Sequence, residues 1–387
     1  MTSDEQLVAA LAPVLPTPAR TEAADEEAQR KTVLQLMKAH AKFGRAERRC
    51  FGHQQLMLAP SYQINNLLQA ARDLGPENAV RWLHTVHDTK SATIADYWEV
   101  YGVSIDGPCS FSNGVRLVTV ASLLGERGRQ VRAMYEFSVP EGVMRFGLPP
   151  LIAIHEKPNV LATPEMPDPE LRFSRPIARA IRAIASVSDH AAPVLAVSWT
   201  GFTSLDLERA QFGSRISMSR FDGPLKSLGV DIKLDETACS QINHVLGLPE
   251  HVAALFDAVA DRLILARSRV DAGNGAIDAS ICLEALFGDP SAQSEMTSRI
   301  SLRAALFASN DIEERAAIRK HVKDLYTLRS KAVHAAKSVW SSKERDVAAN
   351  GLKLVGSLLN KLAELHELPD WNVWELSGGK PDRPASA

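Results

Sequence analysis

Residues 298–334 read SRISLRAALFASNDIEERAAIRKHVKDLYTLRSKAVH, and this stretch sets the architecture of the carboxy-terminal third. Met296 to Ala308 predicts one helix, and Ile312 into the Arg329 region predicts a second, with Ile318, Val322 and Leu325 on one stripe. Working outward, Leu255, Val259 and Leu263 recur every four residues. The helix starting near Ala276 is apolar nearly all round, as expected of a buried central helix. A further helix from Glu344 to His366 carries Leu354, Val355, Leu358, Leu362 and Leu365. From Leu248 onward the chain therefore reads as an all-α bundle.

Two charges interrupt the apolar faces. Ile277, Ile281 and Glu284 stand at i, i+4 and i+7, and Arg329 continues the stripe of Ile318, Val322 and Leu325. Each charge is expected to project inward. An unpaired buried charge is costly, so each needs a partner or a polar cleft. Arg303 and Arg329 are both candidates to pair with Glu284. Such a pair serves either to fix helix register or to support a site.

The second helix ends on Arg329-Ser330-Lys331-Ala332-Val333-His334. An arginine can grip a phosphate bidentately, and a histidine, with an unperturbed pKa of about 6.5, moves protons near neutrality. The same spacing also suits a histidine near a helix end beside a surface arginine, with no chemistry. Along a regular helix five residues turn through about 500°, or about 140° net, so the two side chains diverge. For them to converge, either the helix ends between them or motifs from two chains meet.

The surroundings carry a resemblance. The LEALFGD turn around Glu284, the Arg303 of SLRAALF, and the ending Tyr326-x-x-Arg329-Ser330-x-x-Val333-His334 resemble, in order and spacing, the Apea-like branch of the HEPN superfamily. The close likeness covers roughly the last third of the chain, with a fainter one upstream from about Tyr97. The family often has glycine after the histidine, where this chain has Ala335.

The resemblance implies an all-α HEPN bundle that forms a homodimer with a composite cleft at its two-fold axis. It also implies a metal-independent endoribonuclease with an R-x4-6-H motif and no cofactor. Arg329 and His334 are then catalytic, with Glu284, Arg303, Ser330 and Tyr326 in support. Neutral His334 takes the proton of a ribose 2′-OH, that oxygen attacks the adjacent phosphorus, and Arg329 stabilises charge on the equatorial oxygens. The products carry 2′,3′-cyclic phosphate and 5′-OH ends. Ser330 either hydrogen-bonds the phosphate or caps the next turn. Between residues 321 and 337, Lys323, Arg329, Lys331 and Lys337 outweigh Asp324, and the three lysines are the expected RNA contacts. Proteins resembling this one act in phage defence or stress-induced RNA cleavage, as toxins quiet until triggered, with tRNA or phage and host transcripts as substrates. The competing expectation is a non-catalytic bundle that dimerises or binds RNA.

Upstream the pattern changes, so the whole chain reads as α+β in four parts. These are a helical region 1–95, a mixed region 96–245 with antiparallel strands that senses a trigger or selects a target, the bundle 246–370, and a tail 371–387. The tail's end, from Ser377, is Gly/Pro/Ser-rich and expected to be disordered. Helices are expected from Ser3 to Pro13, Glu22 to Ala41, Tyr62 to Asp73 and Glu77 to His87. Short β-rich runs follow at Tyr97 to Ile105, Val115 to Ala121, Gln130 to Phe137 and Leu151 to His155. Prolines between Pro158 and Pro176 predict an extended connection, Ile177 to Val187 a helix, and Val194 to Leu207 a strand.

A net charge of −2 gives no global attraction to nucleic acid, so binding must come from a local basic surface. Cys50, Cys109, Cys239 and Cys282 are too scattered for a metal knuckle or a disulfide framework. With no signal-peptide pattern and no long apolar run, the expected location is cytoplasmic. His84-x-x-His87-Asp88 offers metal-ligand spacing, but reads more simply as a solvated helix end. Arg172, Arg175, Arg179 and Arg182 form one basic cluster and Lys42, Arg45, Arg48 and Arg49 another, each either a binding patch or ordinary surface. No phosphate-loop, nucleophile-elbow or H-E-x-x-H pattern supports ATP hydrolysis, serine hydrolysis or zinc proteolysis.

Overall fold

The Ser3 hydroxyl accepts from the Gln6 amide while the Gln6 side chain accepts from the Ser3 amide, and this capping box starts α1 (Asp4–Leu11). The structure, a computed structural model, describes residues 2–12, 23–123, 151–166, 174–189, 191–211, 232–269, 271–288, 296–334, 339–365 and 367–379. After α1 come α2 (Ala23–Ala39), β1 (Arg48–Phe51), β2 (Gln54–Met57), α3 (Pro60–Leu74), α4 (Pro76–Asp88) and β3 (Ser91–Tyr101). Next are β4 (Val103–Ile105), β5 (Cys109–Ser110), β6 (Val115–Thr119), β7 (Leu151–Leu161), α5 (Arg175–Ser186), β8 (Val194–Phe202) and α6 (Leu205–Ala210). β9 (Ile232–Leu234) and α7 (Glu236–Leu246) lead into α8 (Glu250–Ser268), α9 (Ala272–Phe287), α10 (Met296–Ala308), α11 (Ile312–His334), α12 (Ser342–Ala363) and α13 (Trp371–Ser377). The α+β reading holds at this level.

Contacts divide the chain into two compact units that alternate along it. Met1–Tyr97, Ile154–Ser174 and Ser198–Met218 form the first; Trp98–Ala153, Arg175–Val197 and Ser219–Ala387 form the second. Residues 96–245, one region by sequence, thus contribute to both, because β3, β7 and β8 each pass from one unit into the other. Strand order in the main sheet is β5-β6-β7-β3-β8. β5 and β6 pair antiparallel, as expected, but β4 pairs parallel with β9, Val103 opposite Ile232. A parallel pair needs a long crossover, here supplied by the chain between residues 105 and 232, and no local pattern announces it.

The core of the first unit gathers Leu7, Val33, Met37, Phe43, Phe51, Leu56, Ile64, Leu83 and Phe202. The sequence reads residues 1–95 as helical, yet β1 and β2 form an antiparallel hairpin there. Gly52 turns it with φ 56°, a conformation open to glycine, and each strand is only four residues long, too short for a clear period of two. Further on, β7 continues through Pro158 to Leu161 where an extended connection is expected, and the strand predicted to Leu207 ends at Phe202, before α6. The predicted strand at residues 130–137 lies outside the described residues.

In the second unit α9 is the central helix, buried from Gly273 to Phe287 and packed against α8, α10, α11 and α12. Small residues set the spacing. A Cβ at Gly273 would strike the Trp340 indole, which precedes α12, and one at Gly351 would stand 2.7 Å from Leu325 Cδ1, so Gly273 admits the Trp340 ring against α9 and Gly351 lets α12 meet α11. α7, capped by Asp235, precedes the expected start of the bundle. α13 lies in the stretch read as tail, with Trp371 against Phe287 and Trp374 against Phe307. Among the described residues no helix is long and apolar enough to cross a membrane.

Candidate functional site

α11 runs unbroken from Ile312 to His334 and buries Val322, Leu325, Tyr326 and Leu328. Arg329 lies along this packed side and meets Glu284 of α9, Nη1 to Oε1 at 3.3 Å. The Tyr326 hydroxyl donates to the same Oε1 at 3.3 Å, and the Arg329 guanidinium lies over the Tyr326 ring, 5.7 Å from its centre. Burial first, and the Glu284 charge second, push the Tyr326 hydroxyl pKa up, so it stays a protonated donor. Of the two candidate partners for Glu284, Arg329 is the one that reaches it. Full burial is not observed: the Arg329 and Glu284 side chains are 37% and 28% exposed, because the pair sits where the packed length of α11 ends.

Arg303 has a different partner. It is 2% exposed and binds Glu375 Oε1 at 2.5 Å, the Phe287 carbonyl at 2.9 Å and Asn372 Oδ1 at 3.2 Å. It therefore ties α10 to α13 and does not touch the Glu284 cluster. Sequence reasoning misses this because Glu375 lies in the stretch read as tail.

His334 is exposed at the end of α11 and makes no hydrogen bond or ion pair among the described residues. The helix does not end between Arg329 and His334, so the two side chains project about 140° apart and one chain does not bring them together. Ser330 is exposed inside the continuing helix, which removes the capping reading. Lys323 and Lys331 are exposed, and Lys331 pairs with Glu344 at 3.2 Å. Lys337 and Ala335 lie outside the described residues.

Other clusters resolve into structural pairs. His84 bridges Asp4 (2.9 Å) and Lys42 (2.9 Å), Asp88 holds Lys42 at 2.7 Å, and burial followed by the Arg49 charge lowers the His87 pKa to about 4. Among the described residues no group of three or more His, Cys, Asp or Glu is arranged to hold a metal ion. Arg182 grips Asp261 at 2.6 and 2.7 Å and Asp257 at 3.2 Å, and Arg179 adds a longer contact to Asp257, so half of that basic cluster is internally neutralised. Arg172 lies outside the described residues. In the second patch Arg49 binds Glu47 and Arg48 binds the Pro164 carbonyl. Asp278 escaped the sequence reading: fully buried on α9, it is held by Arg262 at 2.9 Å and Arg269 at 3.2 Å, and burial raises its pKa against those charges. An acid on the largely apolar helix that also carries Glu284 was its available signal.

Fold and site together define an α+β chain with a carboxy-terminal helical bundle and an Arg–Glu–Tyr cluster one turn before an exposed terminal histidine. In comparisons with family models, curated proteins and solved structures, nothing matches this chain.

Proposed function

We propose that this protein is a metal-independent endoribonuclease of the HEPN type, acting as a dimer in phage defence or stress-induced RNA cleavage. The observation that carries the reading is the oriented Arg329, held by Glu284 beside Tyr326, on the helix that presents His334 bare at its end. The two side chains diverge within one chain, so the site is composite: His334 of one protomer works with the partner's Arg329. Val333, 54% exposed and next to His334 in the chain, adds apolar surface suited to such a contact.

In this arrangement His334 accepts the ribose 2′-OH proton as that oxygen attacks phosphorus. The guanidinium, which retains donors beyond the one given to Glu284, meets the charge that develops on the phosphoryl oxygens. The nucleophile is the substrate's own, so the step routes no bond through a metal. Purified protein incubated with total RNA in EDTA is expected to leave 2′,3′-cyclic phosphate ends. His334→Ala should lower the rate on the order of 100-fold or more. A cleaved oligonucleotide remade with one 2′-deoxy sugar at the scissile position should bind and remain uncut; continued cleavage there would rule out the 2′-OH mechanism.

A second reading is a non-catalytic dimerising or RNA-binding bundle. It is favoured by the Glu284–Arg329 pair itself, which already neutralises the cation a phosphate would need. Intact RNA after incubation with a demonstrably dimeric protein, under every trigger tried, would select it.

A further inference from the structure

A groove of about 570 Å³ lies between α10 and α11, within the second unit. Leu302, Ala305 and Leu306 give it an apolar floor, and no acidic side chain is among the described residues that line it. Arg319, Lys320 and Lys323 stand along its rim and make no side-chain hydrogen bond or ion pair among the described residues. That sets them apart from Arg182, Arg262 and Arg303 of the same unit, each of which is bound to a carboxylate. Arg315, also in the lining, is committed to the Ser309 and Gly378 carbonyls and shapes the groove's end.

Helix geometry connects this groove to the candidate site. At about 100° per residue, Arg319, Lys323, Thr327, Ser330 and His334 project within a sector about 80° wide, and all five are exposed. Glu313, Glu314 and Asp324 fall outside that sector. An acid-free stripe therefore runs about 16 Å along α11 from Lys323 to His334.

Resting on the ribonuclease reading above, we propose that this groove and stripe bind a single-stranded RNA, phosphates on the cationic rim and base faces on the apolar floor, and lead it to His334. A polyanion is what three cations, unpaired among the described residues, at the head of a continuous acid-free stripe complement. A second copy of the chain does not suit the groove, because a two-fold contact centred there would set each cation against its own duplicate. The floor is aliphatic and offers no polar group to read base edges, so the grip is indifferent to sequence and specificity must come from elsewhere.

The test uses the full chain carrying His334→Ala, so that bound RNA stays whole, titrated with a labelled unstructured oligoribonucleotide over a salt series. Adding Arg319→Ala, Lys320→Ala and Lys323→Ala is expected to weaken binding at least about 10-fold and to flatten the slope of log K against log salt by about 2, three contacts at about 0.7 each. The milder Lys320→Gln, Lys323→Gln double variant should lose about two thirds of that slope, which keeps the outcome readable if the triple variant folds poorly. Unchanged affinity and slope would overturn the proposal, as would equal displacement of the RNA by a polyglutamate peptide of matched charge. If RNA binds through the groove but the native chain never cuts it, the ribonuclease reading fails and the groove stands. If the native chain cuts and the triple variant binds and cuts as before, the groove alone fails.

Discussion

Arg329 Nη1 and the Tyr326 hydroxyl converge on one oxygen, Glu284 Oε1, each at 3.3 Å. A single carboxylate thus sets the direction of the cation that the proposed reaction needs. Both charged partners are partly exposed, so water screens them and the pair contributes little to folding. Glu284→Ala is expected to cost about 1 kcal/mol in denaturant unfolding, the scale of an exposed ion pair. A loss above about 3 kcal/mol would mean that the pair is desolvated in solution.

Arg303 is the opposite case. It is buried, and its removal leaves the Phe287 carbonyl without this donor and Glu375 with only the longer contact to Arg299, 3.5 Å. Arg303→Ala is expected to cost about 3 kcal/mol and to loosen α13, moving Trp371 and Trp374 into water. Denaturant melts together with a red-shifted tryptophan emission report both effects. An unshifted spectrum and an unchanged midpoint would show that Arg303 holds nothing.

Two buried groups predict opposite pH dependences. Burial raises the Glu99 pKa from 4.5 to about 7, against a weak Tyr101 hydrogen bond, so the folded state holds a proton there that the unfolded state has released. Its contribution is full below pH 4.5 and is lost as pH rises through 7. His87 falls from 6.5 to about 4, mainly through burial, so the unfolded state binds the extra proton; its contribution is full above pH 6.5 and is lost as pH falls through 4. Each window corresponds to about 3 kcal/mol. Guanidine unfolding followed from pH 4 to 8 should show Glu99→Gln flattening the alkaline side and His87→Asn the acidic side. Identical pH profiles for variants and parent would remove both groups from the linkage.

Cys109 and Cys239 are free thiols with their sulfurs 2.8 Å apart, on β5 and α7 of the second unit. Treatment with a hydroperoxide is expected to join them, the two thiols giving up two hydrogens as the peroxide is reduced to water and the corresponding alcohol. Burial, and then Cys239, push the Cys109 thiol up to about 12, so the Cys109 thiolate is scarce at neutral pH and attack by this sulfur should be faster in alkali. Peptide mass mapping without reductant checks it. Cys50 and Cys282, both buried, should remain free thiols.

Much of the bundle was legible because its signals are local. Leu255, Val259 and Leu263, the apolar helix at Ala276 and the leucines of α12 state their faces within a few turns, and the boundaries of α10 match the predicted helix. That Glu284 would seek an arginine was equally legible, since a charge on an apolar stripe needs a partner. Which arginine it meets was not: Arg303 and Arg329 are both available by residue type, and only the packing of α13 over α10 takes Arg303 away to Glu375.

The amino-acid sequence by itself determined the helix faces, the capping of α1 and the presence of an arginine and a histidine at the end of α11. Tertiary structure decided what depends on residues far apart in the chain. It pairs β4 with β9, switches the chain from one unit to the other within β3, β7 and β8, brings Cys109 to Cys239, and leaves Arg319, Lys320 and Lys323 without a charged partner among the described residues beside an apolar groove lining. The physical reason is that periodicity and capping are properties of a few consecutive residues. Partner choice for a charge, a thiol or a strand edge is settled by loop closure and core packing across a hundred residues or more, where many sequences of equal local pattern end differently.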